Sequence, residues 1–196
     1  MKQPINEQLP IKDVVLNETD NFILRISNVE KPAIKTDFLM FNEQEVRLSM
    51  NDERRIVVGA VLIPEQLIPR IDPDTNEKYL LRFSADTIEK LAERFVKEGR
   101  GQATNLQHDG KDSVDGLHFK DIWVSDKALG IHPPDAFKHL PYGTMFATER
   151  VNNDKVWQDM KDGKINGFSI EAMLNVMHSM NSLDNFLNEI EAILKS

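Results

Sequence analysis

The run Ile56-Val57-Val58-Gly59-Ala60-Val61-Leu62-Ile63 constrains the fold of this chain more than any other stretch. It is too apolar for a strand with one face in water and too short for a convincing helix, so it reads as a strand buried on both faces. Pro64 and Pro69 break the chain after it. Asp72-Pro73-Asp74-Thr75-Asn76 has turn chemistry, and Lys78-Tyr79-Leu80-Leu81-Arg82-Phe83 reads as a returning strand.

Ser84 then caps the clearest helix in the sequence, with Asp86 favourably placed in its first turn. Ile88, Leu91, Ala92, Phe95 and Val96 recur at helical spacing as one apolar stripe, and Gly99 is the stop. Three further strands are expected at residues 103–107, 117–124 and 144–151, with a Pro- and His-rich loop at 130–142. A short helix from Asp154 to Met160 would seat Val156, Trp157 and Met160, and a last strand runs from Gly167 to Leu174. A tail helix carries Leu183, Phe186, Leu187, Ile190 and Leu194 on one side.

Before the apolar run, Pro4, Pro10 and Pro32 interrupt a mixed segment to which Leu16 and Phe22-Ile23-Leu24 could add a strand. The expected division is an N-terminal arm at 1–35, a main domain at 36–176, and a C-terminal linker and amphipathic helix at 177–196. Strands around a prominent helix, without a repeating βαβ rhythm, predict an α+β fold with a largely antiparallel sheet, closed or partly closed as a small β-barrel.

Composition narrows the chemistry. With 196 residues, 40% of them hydrophobic, the chain can bury a core without disulfides or a structural metal. It contains no cysteine, which excludes a thiol nucleophile and a thiolate zinc site. A formal net charge of −8 argues against nucleic acid as a partner, because phosphate neutralisation needs a basic surface. No apolar run approaches the ~20 residues that span a bilayer. A soluble, intracellular protein with no membrane partner and no cofactor is expected.

A serine hydroxyl needs a base within reach and a third group to orient that base. Of the five histidines, His108 ends an expected strand and precedes the turn signal Asp109-Gly110, so it is held on one side and open on the other. His118 sits within a strand, His132 and His139 flank prolines, and His178 lies in a Met-rich linker. Ser169 follows Gly167, which permits close backbone approach near a developing oxyanion. On an extended strand Ser169 and Glu171 share a face. Taken alone, each residue has an ordinary structural explanation. The run His108 to His118 holds three aspartates and two histidines, but it fails the calcium-loop and zinc-peptidase spacings and reads as an acidic turn.

The ordered set of Val57 to Pro64, the helix after Phe83-Ser84, Asn105-Leu106-Gln107-His108-Asp109-Gly110, Gly143-Thr144-Met145-Phe146, Val156-Trp157 and Gly167-Phe168-Ser169-Ile170-Glu171 resembles the tailed-phage prohead proteases, in their phage serine protease branch. The likeness spans roughly residues 55 to 175. It implies a fold similar to the herpesvirus assemblins, a small β-barrel with peripheral helices. It also implies a serine endopeptidase with Ser169 as nucleophile and His108 as general base. Glu171 fits the branch motif as third member, with Asp109, Asp121, Asp184, His178 or a working dyad also open. The implied substrates are scaffold protein, major capsid protein and the protease itself, inside the immature viral head in the host cytoplasm. A homo-oligomer is compatible with this. The competing reading is a non-enzymatic head-assembly or scaffold-binding protein that retains the fold.

Overall fold

The apolar run forms a strand at Ile56–Leu62 in the computed structural model, which describes residues 9–16, 22–30, 49–51, 54–72, 75–101, 104–106, 114–173 and 176–178. In chain order the strands are β1 (Ile11–Val14), β2 (Phe22–Val29), β3 (Ser49–Asn51), β4 (Ile56–Leu62), β5 (Ile68–Ile71) and β6 (Lys78–Arg82). They continue as β7 (Thr104–Leu106), β8 (Leu117–Val124), β9 (Met145–Val151), β10 (Gly167–Met173) and β11 (Val176–His178). Two α-helices, α1 (Ala85–Lys97) and α2 (Asp154–Lys161), and one 3-10 turn (Asp135–Phe137) complete the described elements.

Strand β4 is covered on both sides, with Ile56, Val57, Gly59, Val61 and Leu62 buried. It pairs antiparallel with β3 and β9, and β8 completes that four-stranded sheet. A second sheet has the order β10-β2-β7 and a third the order β11-β1-β6-β5. Pairing is antiparallel except where β1 meets β6 and β2 meets β7. The architecture is α+β. Among the described residues the ladders form three separate sheets, and the expected closed barrel is not formed by hydrogen bonding.

Helix α1 starts where its sequence dictates. The Ser84 hydroxyl accepts from the Thr87 N–H at 3.1 Å, satisfying one of the donors a helix start leaves open. Ile88, Leu91, Ala92 and Phe95 are buried, whereas Val96, expected on the same stripe, is 56% exposed. It lies too far around the helix from the Ile88–Phe95 line to reach the core. Gly99 ends the helix with φ +69°. Helix α2 is capped by Asn153 and buries Val156, Trp157 and Met160, as its spacing predicts.

Two stretches read otherwise in the sequence. Pro69 breaks nothing: it lies within β5, the outermost strand of its sheet, where a missing N–H is tolerated. The Met-rich segment expected as linker contributes β11, which pairs with β1. Both β1 and β2, from the stretch read mainly as an arm, are paired in sheets. The tail helix lies outside the described residues.

Gly143 fixes the junction between sheet and helix. Its φ is +89°, and a Cβ there would sit 2.6 Å from the Ala85 Cβ. Only glycine lets the entry to β9 pass so close to the start of α1.

Candidate active site

Gly167 opens β10, and Ser169 sits two residues in, directly opposite Ser27 of β2. Directly opposed residues of an antiparallel pair share a face, so the two hydroxyl residues lie together on one side of the sheet. Ser169 is only 7% exposed. Phe168, next to it on the strand, packs edge-on against Phe119 with ring centroids 5.7 Å apart. A register shift between Glu171 and Ala172 then bends β10 just beyond the serine.

A pocket of about 100 Å³ lies where the three sheets meet, and Ser169 forms part of its wall. Val61 and Leu62 of β4, Ile68 of β5, Leu81 of β6, Phe83, and Phe168, Ile170 and Ala172 of β10 make its apolar side. Gln66 and Arg70 supply the other polar groups. Arg70 donates to the Pro69 carbonyl at 2.9 Å, and burial pushes its pKa down from the ordinary value.

The same sheet carries a second polar cluster. Asn28, next to Ser27, donates through Nδ2 to Glu149 Oε1 at 3.1 Å, and Thr104 Oγ1 donates to the same oxygen at 2.8 Å. Asn28 Nδ2 also reaches Thr104 Oγ1 at 3.2 Å. Glu149 is fully buried, and that burial pushes its pKa up to about 7 against the opposing pull of the two hydrogen bonds. Its Oε2 and Asn28 Oδ1 have no hydrogen-bond partner among the described residues. The carboxyl group therefore ties β2 and β7 of one sheet to β9 of another. Since alternate residues along a strand face opposite ways, this cluster lies on the Phe168 side and away from Ser169.

Of the residues singled out in the sequence, Ser169 is placed in full and Glu171 by its backbone, two residues further along β10. His108, Asp109 and Asp184 lie outside the described residues. Thr104 to Leu106, the strand that leads to His108, runs parallel to β2, with Asn105 level with Ser27. Asp121 is on β8, in a different sheet from Ser169, and is paired with Lys120 at 2.6 Å. His178 falls on β11 by its backbone. His118 lies opposite Arg150 in the β8–β9 ladder, and His132 shares a 2.6 Å hydrogen bond with the Tyr142 hydroxyl. Among the described residues no group of three or more acidic or histidine side chains is placed to hold a metal ion. Likewise among them, no helix is long and apolar enough to cross a membrane.

Sequence reasoning missed Glu149 and Arg70. For Glu149 a signal existed: it is an acidic residue inside the strand Met145-Phe146-Ala147-Thr148-Glu149, every position of which is buried. Arg70 was hidden by Pro69, which reads as a break.

The structure thus describes an α+β protein whose inter-sheet pocket is walled in part by a strand serine. Residues 45–178 match the family described as Putative phage serine protease XkdF, and the chain belongs to that family. The resemblance carried by the motifs from Val57 to Glu171 is shown on this ground. The chain is also 28% identical over 165 residues to the Phage-like element PBSX protein XkdF of Bacillus subtilis (strain 168). That similarity covers 77% of this chain and 52% of the relative, so the chain spans about half the length of the curated relative it matches. No solved structure matches the chain.

Proposed function

We propose that the chain is a serine endopeptidase acting in viral head maturation, with Ser169 as its nucleophile. The observation that supports this best is the position of Ser169, inside the family match and on the wall of the inter-sheet pocket. In this reading Ser169 Oγ adds to the scissile carbonyl carbon while His108 takes the hydroxyl proton. Backbone N–H groups near the serine stabilise the tetrahedral oxyanion. Collapse of that intermediate breaks the C–N bond, and the leaving amine takes its proton from His108. Water, activated by the same base, then hydrolyses the acyl ester. Glu171, two residues from the nucleophile, is the third member, orienting His108.

The substrates in this proposal are scaffold protein, major capsid protein and segments of the chain itself, within the immature head. The division into arm, protease domain at 36–176 and C-terminal helix, and the closure of the sheets into a herpesvirus-protease-like barrel, belong to the same proposal. The test is incubation of the purified chain with its scaffold and capsid precursors, with products read by mass spectrometry. Cleavage by the native chain and its loss in Ser169→Ala support the reading. Full cleavage by Ser169→Ala overturns it. Stable association with the precursors and no cleavage would assign a non-enzymatic assembly role instead.

A further inference from the structure

Among the described residues Glu149 is the one buried carboxylate. Asn28 and Thr104 bond to each other and both donate to its Oε1, so the three side chains close a ring. Its Oε2 and Asn28 Oδ1, both acceptors, are left over. A charged oxygen in that position is costly. A proton on Oε2 removes the charge and turns one of the two leftover acceptors into a donor. No ionised group among the described elements around it opposes that state. Its cross-strand neighbours are Val57 of β4 and Phe119 of β8. From β2 and β7 come the neutral Asn28 and Thr104. Helix α1, packed on β2, β8 and β9, buries Thr87, Ile88, Leu91, Ala92 and Phe95, none of them ionisable.

The ring lies at a junction that matters to the serine. In the sheet β10-β2-β7 the middle strand holds both of the others. Asn28 of β2 follows Ser27, which stands opposite Ser169 of β10. Thr104 opens β7, and His108 comes four residues later in the sequence. Strand β7 is only three residues long, so its ladder to β2 is short and side-chain ties carry much of its attachment. Resting on the protease reading of Ser169, we infer that Glu149 is a positioning residue for the reaction: its neutral carboxyl group fastens β2 and β7 to β9 in the arrangement that sets His108 against Ser169, and loss of its proton loosens that arrangement. Glu149 touches no substrate and exchanges no proton with one. Burial pushes its pKa up to about 7, so the loosening falls near neutrality as pH rises. A histidine base acting alone gives activity that climbs with pH to a plateau, whereas this device adds a falling limb.

The experiment uses the full chain and its scaffold and capsid precursors, with kcat and KM measured from pH 5 to 9 by mass spectrometry of the products. Circular dichroism at each pH reports the folded fraction. The native chain should pass through a maximum and lose kcat at least about tenfold by pH 9, with KM little changed and the fold intact. Glu149→Gln keeps an acceptor oxygen and is neutral at every pH, so its kcat should reach a plateau with no falling limb. A plateau in the native chain, a falling limb that persists in Glu149→Gln, or a fall that only tracks loss of the folded signal overturns the inference and leaves the protease reading standing. If no precursor is cleaved, or if Glu149→Gln does not fold, amide hydrogen exchange of the native chain is compared at pH 6 and pH 8, corrected for the intrinsic pH dependence. Protection that drops at least about tenfold in β2 and β7 but not in β6 keeps the proton-dependent hold of Glu149 on those strands, whatever becomes of the protease reading. Unchanged protection ends the inference.

Discussion

Glu149 and Ser169 are both buried polar residues on strands, yet the fold uses them in opposite ways. Glu149 lies in the interior, where β2, β7 and β9 converge, and Asn28 and Thr104 bind one of its oxygens. Ser169 lies on an outermost strand and lines a pocket. A polar group whose bonds are consumed inside the fold holds elements together. One left on a cavity wall remains available to something that enters. Burial alone separates neither case from the other. The neighbours do.

This contrast predicts effects of different kind and size. Ser169→Ala should lower peptide cleavage by about 10⁴-fold or more while costing about 1 kcal/mol or less of stability. Activity and thermal unfolding measured on one preparation would show this. If the substitution instead unfolds the chain, Ser169 belongs with Glu149 and the distinction collapses. Glu149→Ala should do the reverse, costing about 4 kcal/mol by opening a cavity and stranding the Asn28 and Thr104 donors. Glu149→Gln keeps the acceptor oxygen and adds donors, so urea unfolding at pH 5, where the folded carboxyl is protonated, should find it within about 1 kcal/mol of the native chain.

The charge state of Glu149 gives the contrast a pH dependence. Its folded pKa of about 7 lies above the ordinary 4.5, so the folded state holds the proton more tightly. The stability linked to that proton is complete below pH 4.5 and is lost as pH rises through 7. The loss is at most about 3 kcal/mol, and Glu149→Gln should flatten it in unfolding curves collected across that window.

Smaller effects sharpen the boundary of the Glu149 cluster. Gly143→Ala forces a side chain into the space held by Ala85 at a backbone angle suited to glycine, at the entry to the strand that carries Glu149. About 2 kcal/mol should be lost, read as a lower unfolding midpoint. Arg82→Ala removes a two-pronged pair with Asp13, at 2.6 and 2.9 Å, whose partners are both more than a third exposed. Water screens that pair, and denaturant titration should find less than about 1 kcal/mol.

The elements defined by local pattern were legible in the sequence. The span of β8, the starts of both helices and, Val96 apart, their apolar faces follow from alternation, capping and spacing, and β4 and β10 fall within a residue of where those patterns put them. What the pattern could not carry is who pairs with whom. Strand β1 joins β6 in parallel across a long stretch of chain, and nothing within Ile11–Val14 names Leu80 as a neighbour. Glu149 was missed for the same reason, because its partners come from strands remote in sequence. Ser169 was singled out through the ordered set of motifs from Val57 to Glu171, while Arg70 joins the same pocket wall only once the sheets are assembled.

Pro69 bears on how copies of this protein meet one another. A sheet margin with a full row of donors and acceptors is a template on which a second molecule can polymerise, strand upon strand. Strand β5 is four residues long, and one of them cannot donate, so that margin is poorly suited to seeding such growth. Gly167 to Met173, at the margin of a different sheet, contains no proline. Among the described residues, one sheet border thus has a strand with a missing donor while another keeps a strand without proline.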